Sequence, residues 1–223
     1  ANNGTIGSLS GSGTTYTAVF TPTADTSSGN ASPCVIPSAV VDAAGNTNAN
    51  YSSALNLTID TRLPTVTAFS TTTANGTYKS GSAINITATT SEAVQSGNAI
   101  TATLDTGATV TLTAASAGTS LTGTYTVGAS HTSSDLTVSS FTIGTVLDTA
   151  GNAMSSTTVP SGSSNIGGAK AIVIDGVVPT MTVSASPTSV SSGGTSTITF
   201  TASEATTTFA LADISLRLVE LPV

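Results

Sequence analysis

The chain repeats itself, and the length of the repeat limits what it can fold into. Val41-Asp42-Ala43-Ala44-Gly45-Asn46 matches Leu147-Asp148-Thr149-Ala150-Gly151-Asn152. Ile59-Asp60-Thr61-Arg62-Leu63-Pro64-Thr65 matches Ile174-Asp175-Gly176-Val177-Val178-Pro179-Thr180, with the two prolines 115 residues apart. Ser91-Glu92-Ala93 returns as Ser203-Glu204-Ala205, and Gly13-Thr14-Thr15-Tyr16-Thr17 is echoed by Gly123-Thr124-Tyr125-Thr126. Solenoid repeats run to roughly 20–50 residues. A period of about 110 residues suits whole β-sandwich modules strung in tandem.

Local pattern agrees with that size. Ile84, Ile86 and Ala88 alternate with Asn85 and Thr87, and Ile198, Phe200 and Ala202 alternate with threonines. Leu136-Thr137-Val138 and Phe141-Thr142-Ile143 continue the two-residue period of half-buried strands. Ser and Thr supply 80 of the 223 residues. Thr is β-branched and favours pleated surfaces, while the good helix formers are scarce. The fold class is therefore all-β, built as tandem sandwiches.

The repeat divides the chain into three. Residues 64–178 are expected to form one complete sandwich. Residues 1–63 hold the late strands and the Asp-x-x-Gly-Asn element, so they read as the C-terminal half of a domain. Residues 179–223 hold the early strands and the Ser-Glu-Ala element, so they read as the N-terminal half of another. The tail 217–223 departs from the repeat. Leu211-Ala212-Asp213-Ile214-Ser215 reads naturally into Asn3-Gly4-Thr5-Ile6-Gly7-Ser8-Leu9-Ser10, as though a unit had been cut in mid-domain.

Charge excludes several functions. Eleven acids face four bases (Arg62, Lys79, Lys170, Arg217), for a net charge of −7. Four scattered bases make no patch for nucleic acid or an anionic membrane. No apolar run reaches the roughly 20 residues of a spanning helix. One cysteine and one histidine rule out an intrachain disulfide, a two-cysteine zinc site and a multi-histidine centre. Cations are the more natural partners. Cys34 reads as a small buried or half-buried hydrophobe.

Ser91-Glu92-Ala93-Val94, Leu211-Ala212-Asp213-Ile214, Gly11 to Pro22, Asp42 to Asn46 and Ile59 to Pro64 together resemble the bacterial Ig-like repeats of large surface adhesins and related secreted or virion proteins. The resemblance implies immunoglobulin-like sandwiches, a place on the cell surface or in a phage virion, and neighbouring Ig-like repeats as partners.

Sandwich topology then places the acids. In an Ig-like domain the B and F strands both end at the N-terminal pole. Glu92 is expected to close a B-like strand (83–90), and Asp148 an F-like strand (141–147). Asp60 ends the preceding G strand. Asp60, Glu92, Asp148 and Asn152 should therefore meet at the first junction. Asp175 and Glu204 should meet at the second. Asp42 and Asn46 are left at the open pole of the first segment. Three carboxylates at one short linker repel unless neutralised. Ca²⁺ takes six to eight such oxygen ligands, and similar repeat arrays, by the resemblance, hold Ca²⁺ between domains. The other reading of Asp-x-x-Gly-Asn is a simple turn, since Asp and Asn cap turns and Gly supplies positive φ. EF-hand spacing is absent.

Three functions follow from these residues. The first is a non-catalytic structural spacer in a long extracellular array. The second is a self-assembling surface or virion filament subunit, in which copies complete each other's split domain. The third is a carbohydrate-binding module or hydrolase using Glu92 and Asp148 as an acid/base pair. The absence of Trp and the few Tyr and Phe leave little for a sugar platform. Ser130, His131 and Asp135 share one loop, where adjacent residues rarely form a triad. No catalytic residue is assigned.

Overall fold

The computed structural model describes residues 3–52 and 55–217. The first segment contributes short strands only: β1 (Gly4–Ile6), β2 (Ser10–Ser12), β3 (Thr15–Thr17), β4 (Phe20–Pro22), β5 (Gly29–Ala31) and β6 (Leu57–Ile59). They form three separate antiparallel pairs, β1–β4, β2–β3 and β5–β6. The middle segment carries β7 (Val66–Ser70), β8 (Gly76–Lys79), β9 (Ala83–Val94), β10 (Ala99–Leu104), β11 (Thr109–Thr113), β12 (Gly118–Thr126), β13 (Thr132–Ser133), β14 (Val138–Ile143), the one-turn helix α1 (Ile166–Ala169) and β15 (Ile172–Asp175). The last segment is one hairpin, β16 (Met181–Ser186) with β17 (Thr197–Ala202).

The protein is all-β. In the middle segment one sheet runs β14-β10-β11-β12-β9-β7 and the other β13-β15-β8. All pairs are antiparallel except β15 with β8. The chain crosses between the sheets from β7 to β8. The Asn85 amide oxygen secures that crossing by accepting the hydroxyls of Thr71, Thr72 and Thr73 at 2.9–3.1 Å.

The alternation read from the sequence sets the core. Ile84, Ile86 and Ala88 are fully buried from β9. They meet Leu121 and Tyr125 of β12, Ile100, Ala102 and Leu104 of β10, and Ile172 and Ile174 of β15 in one cluster. Phe69 and Phe141 close it edge to face, with ring centroids 5.6 Å apart. Burying each large apolar side chain contributes roughly 1.5–3 kcal/mol. Asn165 ties down the long loop before β15. Its amide donates to the carbonyls of Val138 and Pro160, and its oxygen accepts the amides of Val138 and Ile166.

Outside residues 64–178, Ile59 is the one buried hydrophobic side chain among the described residues. Isolated two-stranded pairs have no second layer to cover them. Val183, Ile198, Phe209 and Leu211 are accordingly exposed. Cys34 is exposed too, which corrects the expectation of a buried or half-buried thiol. Among the described residues no sheet packs over the segment around it. Leu211–Asp213 forms a single 3₁₀ turn. The expected atypical tail lies, from residue 218 onward, outside the described residues.

Candidate functional site

The linker between β6 and β7 is held residue by residue. Asp60 accepts the Arg62 amide at 3.2 Å, a local turn. The Thr61 hydroxyl donates to the Thr23 carbonyl and accepts the Thr26 amide. Arg62 lies 3.8 Å from Asp25, an exposed pair of small energetic value. Pro64 is buried and has no N–H to satisfy. Thr65 then exchanges two hydrogen bonds with Ser91, its amide donating to the Ser91 hydroxyl at 3.0 Å and its carbonyl accepting the Ser91 amide at 2.8 Å. The Ser-Glu-Ala element thus clamps the incoming chain with Ser91 and sets Glu92 beside it.

Glu92 lies inside β9, which runs to Val94, and not after a strand ending at 90. The pairing with β12 shifts between Gly118 and Ser120, opposite the span from Thr89 to Val94. This bulge lets the strand continue past its regular ladder. β14 likewise spans Val138–Ile143, not 141–147. Asp148 sits beyond it, in a bridge with Val94.

Asp148 organises its own turn. One carboxylate oxygen accepts the amides of Ala150 and Asn152, each at 2.8 Å, and the other accepts the Asn152 side-chain amide at 2.8 Å. Gly151 has φ +98°, a conformation that costs glycine little. Gln95 and Asn98 hold the turn from β9's far side by donating to the carbonyls of Asp148 and Leu147. Asn152 also donates to the Asp60 carbonyl at 3.1 Å, joining the turn to the linker.

Asp60, Glu92 and Asp148 consequently face one another, with a carboxylate oxygen from each within 4.8 Å of the others. Asp148 is buried, and the other two are half-buried. Glu92 Oε1 is enclosed and has no hydrogen-bond partner among the described residues. Its own burial pushes the Glu92 carboxyl up from the ordinary range. The negative charges of Asp60 and Asp148 add to this, and Arg62 opposes it. A carboxylate has about four acceptor positions. Asp148 uses three in its turn, which leaves one on Oδ2. The donors are all hard carboxylate oxygens, the kind that Ca²⁺ takes, without the Cys and His donors typical of a structural zinc site.

The remaining sequence candidates are not gathered in this way. Asp42 and Asn46 repeat the Asp148–Asn152 turn bond for bond, at 2.8–2.9 Å. The Asn46 side-chain amide is the largest cause of the lowered Asp42 carboxyl. Asp175 is exposed at the end of β15 and accepts the Val177 amide at 3.3 Å. Thr180 and Ser203 repeat the Thr65–Ser91 clamp. Glu204 Oε1 is enclosed without a partner among the described residues, as Glu92 Oε1 is. Asp60, Glu92 and Asp148 form the one cluster of three acidic, histidine or cysteine side chains among the described residues.

His131 is engaged elsewhere than in a triad. Its Nδ1 meets the Tyr125 hydroxyl at 2.9 Å and accepts the Gly128 amide at 3.0 Å. Among the described residues no hydrogen bond joins it to Ser130 or Asp135 side chains. The clamp by Ser91 and the brackets from Gln95 and Asn98 were not foreseen. Ser91 carries one sequence signal, its recurrence as Ser203, while Gln95 and Asn98 show only as polar side chains beside the Gly97 turn. No helix among the described residues is long and apolar enough to cross a membrane.

Residues 1–59 match the family model of a bacterial Ig-like domain. No curated protein and no solved structure matches the chain.

Proposed function

From a first segment that matches a bacterial Ig-like domain, we propose that the chain is a non-catalytic spacer of a large extracellular repeat protein. Its joints are stiffened by Ca²⁺. A bacterial Ig-like domain accords with a structural, extracellular module in general; the adhesin-like stalk and the metal are the finer reading. One observation carries it: three carboxylates converge on the linker, and one of their oxygens, Glu92 Oε1, is enclosed without any donor among the described residues.

The mechanism is mechanical. Asp60 belongs to the linker, Glu92 to β9 and Asp148 to the turn after β14. Ca²⁺ bound among them would offset their mutual repulsion and tie the linker to two elements of the following sandwich. Bending at residues 60–65 would then require ligands to leave the ion. Glu92 would supply Oε1, Asp148 its remaining position on Oδ2, and Asp60 a carboxylate oxygen from the linker.

Small-angle scattering in calcium and in chelator tests this reading. Calcium should lengthen and sharpen the pair-distance distribution of the wild type and leave that of Glu92→Gln unchanged. Identical wild-type profiles in calcium and chelator would overturn it.

A further inference from the structure

We propose that Arg62 is the resident counter-cation of the first junction, and that bound Ca²⁺ displaces it from the three carboxylates onto Asp25. The inference rests on the calcium reading above and names the residue that sets the strength of that binding.

Of the four bases in the chain, Arg62 alone lies in this linker, two residues after Asp60. Its own amide donates to the Asp60 carboxylate at 3.2 Å, so its side chain leaves the backbone beside the cluster. A carboxylate oxygen of Asp60 lies within 4.8 Å of one from Glu92 and one from Asp148. A guanidinium on a three-carbon stem crosses such a gap. Its charge is already felt there. Burial pushes the Glu92 carboxyl up, Asp60 and Asp148 add to the push, and Arg62 draws it down. Yet among the described residues the ion pair that Arg62 makes is with Asp25, 3.8 Å from Nε to Oδ1, and Glu92 Oε1 receives no hydrogen bond. The guanidinium thus stands between two sets of acids and is bound tightly to neither.

Asp25 is held in place beside it. It sits at φ +56° in a turn, a conformation that Asp tolerates better than most side chains. Thr61 staples that turn to the linker. Its amide donates to the Thr26 carbonyl at 2.9 Å, and its hydroxyl accepts the Thr26 amide at 3.0 Å and donates to the Thr23 carbonyl at 2.8 Å. Asp25 and Arg62 line one open cleft with Ala24, Leu63 and Thr65, which leaves the guanidinium room to turn. The pair is exposed, 51% at Arg62 and 85% at Asp25, so it breaks and forms again at little cost.

The fold does not require a base at this position. Val177 occupies it in the second linker, where Ile174-Asp175-Gly176-Val177 repeats Ile59-Asp60-Thr61-Arg62. The positive charge belongs to the junction where three carboxylates meet.

Competition follows from the acceptors. Ca²⁺ takes six to eight oxygens, and the positions open to it on Glu92 Oε1 and Asp148 Oδ2 are those a guanidinium would use. One guanidinium against three carboxylates leaves the cluster repelling itself, so a divalent ion is still attracted. As the ion enters, it repels Arg62, and Asp25 receives the guanidinium. Arg62 therefore weakens calcium binding, and it limits the repulsion at the linker when no ion is bound.

The test is calorimetric titration of calcium into the full chain, with thermal unfolding in EDTA and in about 10 mM calcium, above the range of extracellular modules. Arg62→Gln should bind calcium about tenfold more tightly, because the doubly charged ion no longer faces a guanidinium close by. Arg62→Lys, which keeps the charge on a similar stem, should restore wild-type affinity to within about threefold. Arg62→Gln should melt a few degrees below wild type in EDTA and above it in calcium, where tighter binding outweighs the lost pair. Asp25→Asn should weaken binding about threefold when Arg62 is present, and by under about 1.5-fold beside Arg62→Gln, since a distant exposed acid is screened. Wild-type or weaker affinity in Arg62→Gln overturns the proposal. So does a lower melting temperature in both conditions, the mark of a merely structural arginine, or equal weakening by Asp25→Asn in both backgrounds. A wild type that takes no calcium overturns the calcium reading and this inference with it, whereas a wild type that binds, beside an Arg62→Gln that binds no better, overturns this inference alone.

Discussion

Replacing Glu92 with Gln should stabilise the chain when divalent cations are chelated. The three carboxylates lie within 4.8 Å of one another. Two unit charges at that separation repel by about 1 kcal/mol at the dielectric of water and about 3 kcal/mol at an effective value of 20. Glu92 takes part in two of the three pairs. Asp60 is half-buried and well screened; Asp148 is buried and screened less. A gain of about 2 kcal/mol at neutral pH follows, worth roughly 8 °C in the melting temperature of a domain of about 100 residues. The effect depends on pH. The folded state holds the Glu92 carboxyl above its ordinary 4.5. A raised carboxyl favours the folded state below the unfolded value, and that contribution is lost as pH climbs through the folded value. Thermal unfolding in EDTA should show the two proteins converging near the ordinary value of 4.5 and separating toward neutrality. Added calcium should reverse their order. A variant less stable than wild type in EDTA at neutral pH would refute the reasoning, as would parallel profiles at every pH.

Other outcomes follow from the same structure. Leu121→Ala, at a fully buried site, should cost about 2–5 kcal/mol in urea unfolding, whereas Ile198→Ala, 48% exposed, should change it by under about 0.5 kcal/mol. Asn152→Ala removes the donor to both Asp148 and the Asp60 carbonyl; it should cost about 1–3 kcal/mol and speed hydrogen exchange across residues 60–65. Cys34 is exposed, so it should react fully with a thiol reagent in the folded chain at micromolar concentration, without denaturant.

The strands were legible wherever apolar and polar residues alternate, because a two-residue period means one thing only. β9 declared itself through Ile84, Ile86 and Ala88. Its end did not. The bulge opposite Gly118 and Ser120 depends on a partner strand far along the chain, so Glu92 came to lie inside a strand. The gathering of Asp60, Glu92 and Asp148 could be argued from the topology of a sandwich, since strand ends share a pole. What fixes their distances could not. Gln95 and Asn98 act through hydrogen bonds across the fold, and no spacing announces such partners; Ser91 recurs as Ser203, but the repeat does not say that its hydroxyl clamps Thr65. Cys34 was misread because burial depends on a covering layer, which its short strands lack among the described residues.

Calorimetric titration of Ca²⁺ into the chelator-stripped chain, at neutral pH and physiological salt, tests the central claim most directly. The account predicts binding at the Asp60–Glu92–Asp148 cluster in the roughly 10⁻⁴–10⁻³ M range of extracellular modules. It predicts loss of that binding in the Asp60→Asn, Glu92→Gln double variant, which leaves the Asp148 turn in place. No heat of binding in the wild type, or equal binding by the double variant, would contradict it.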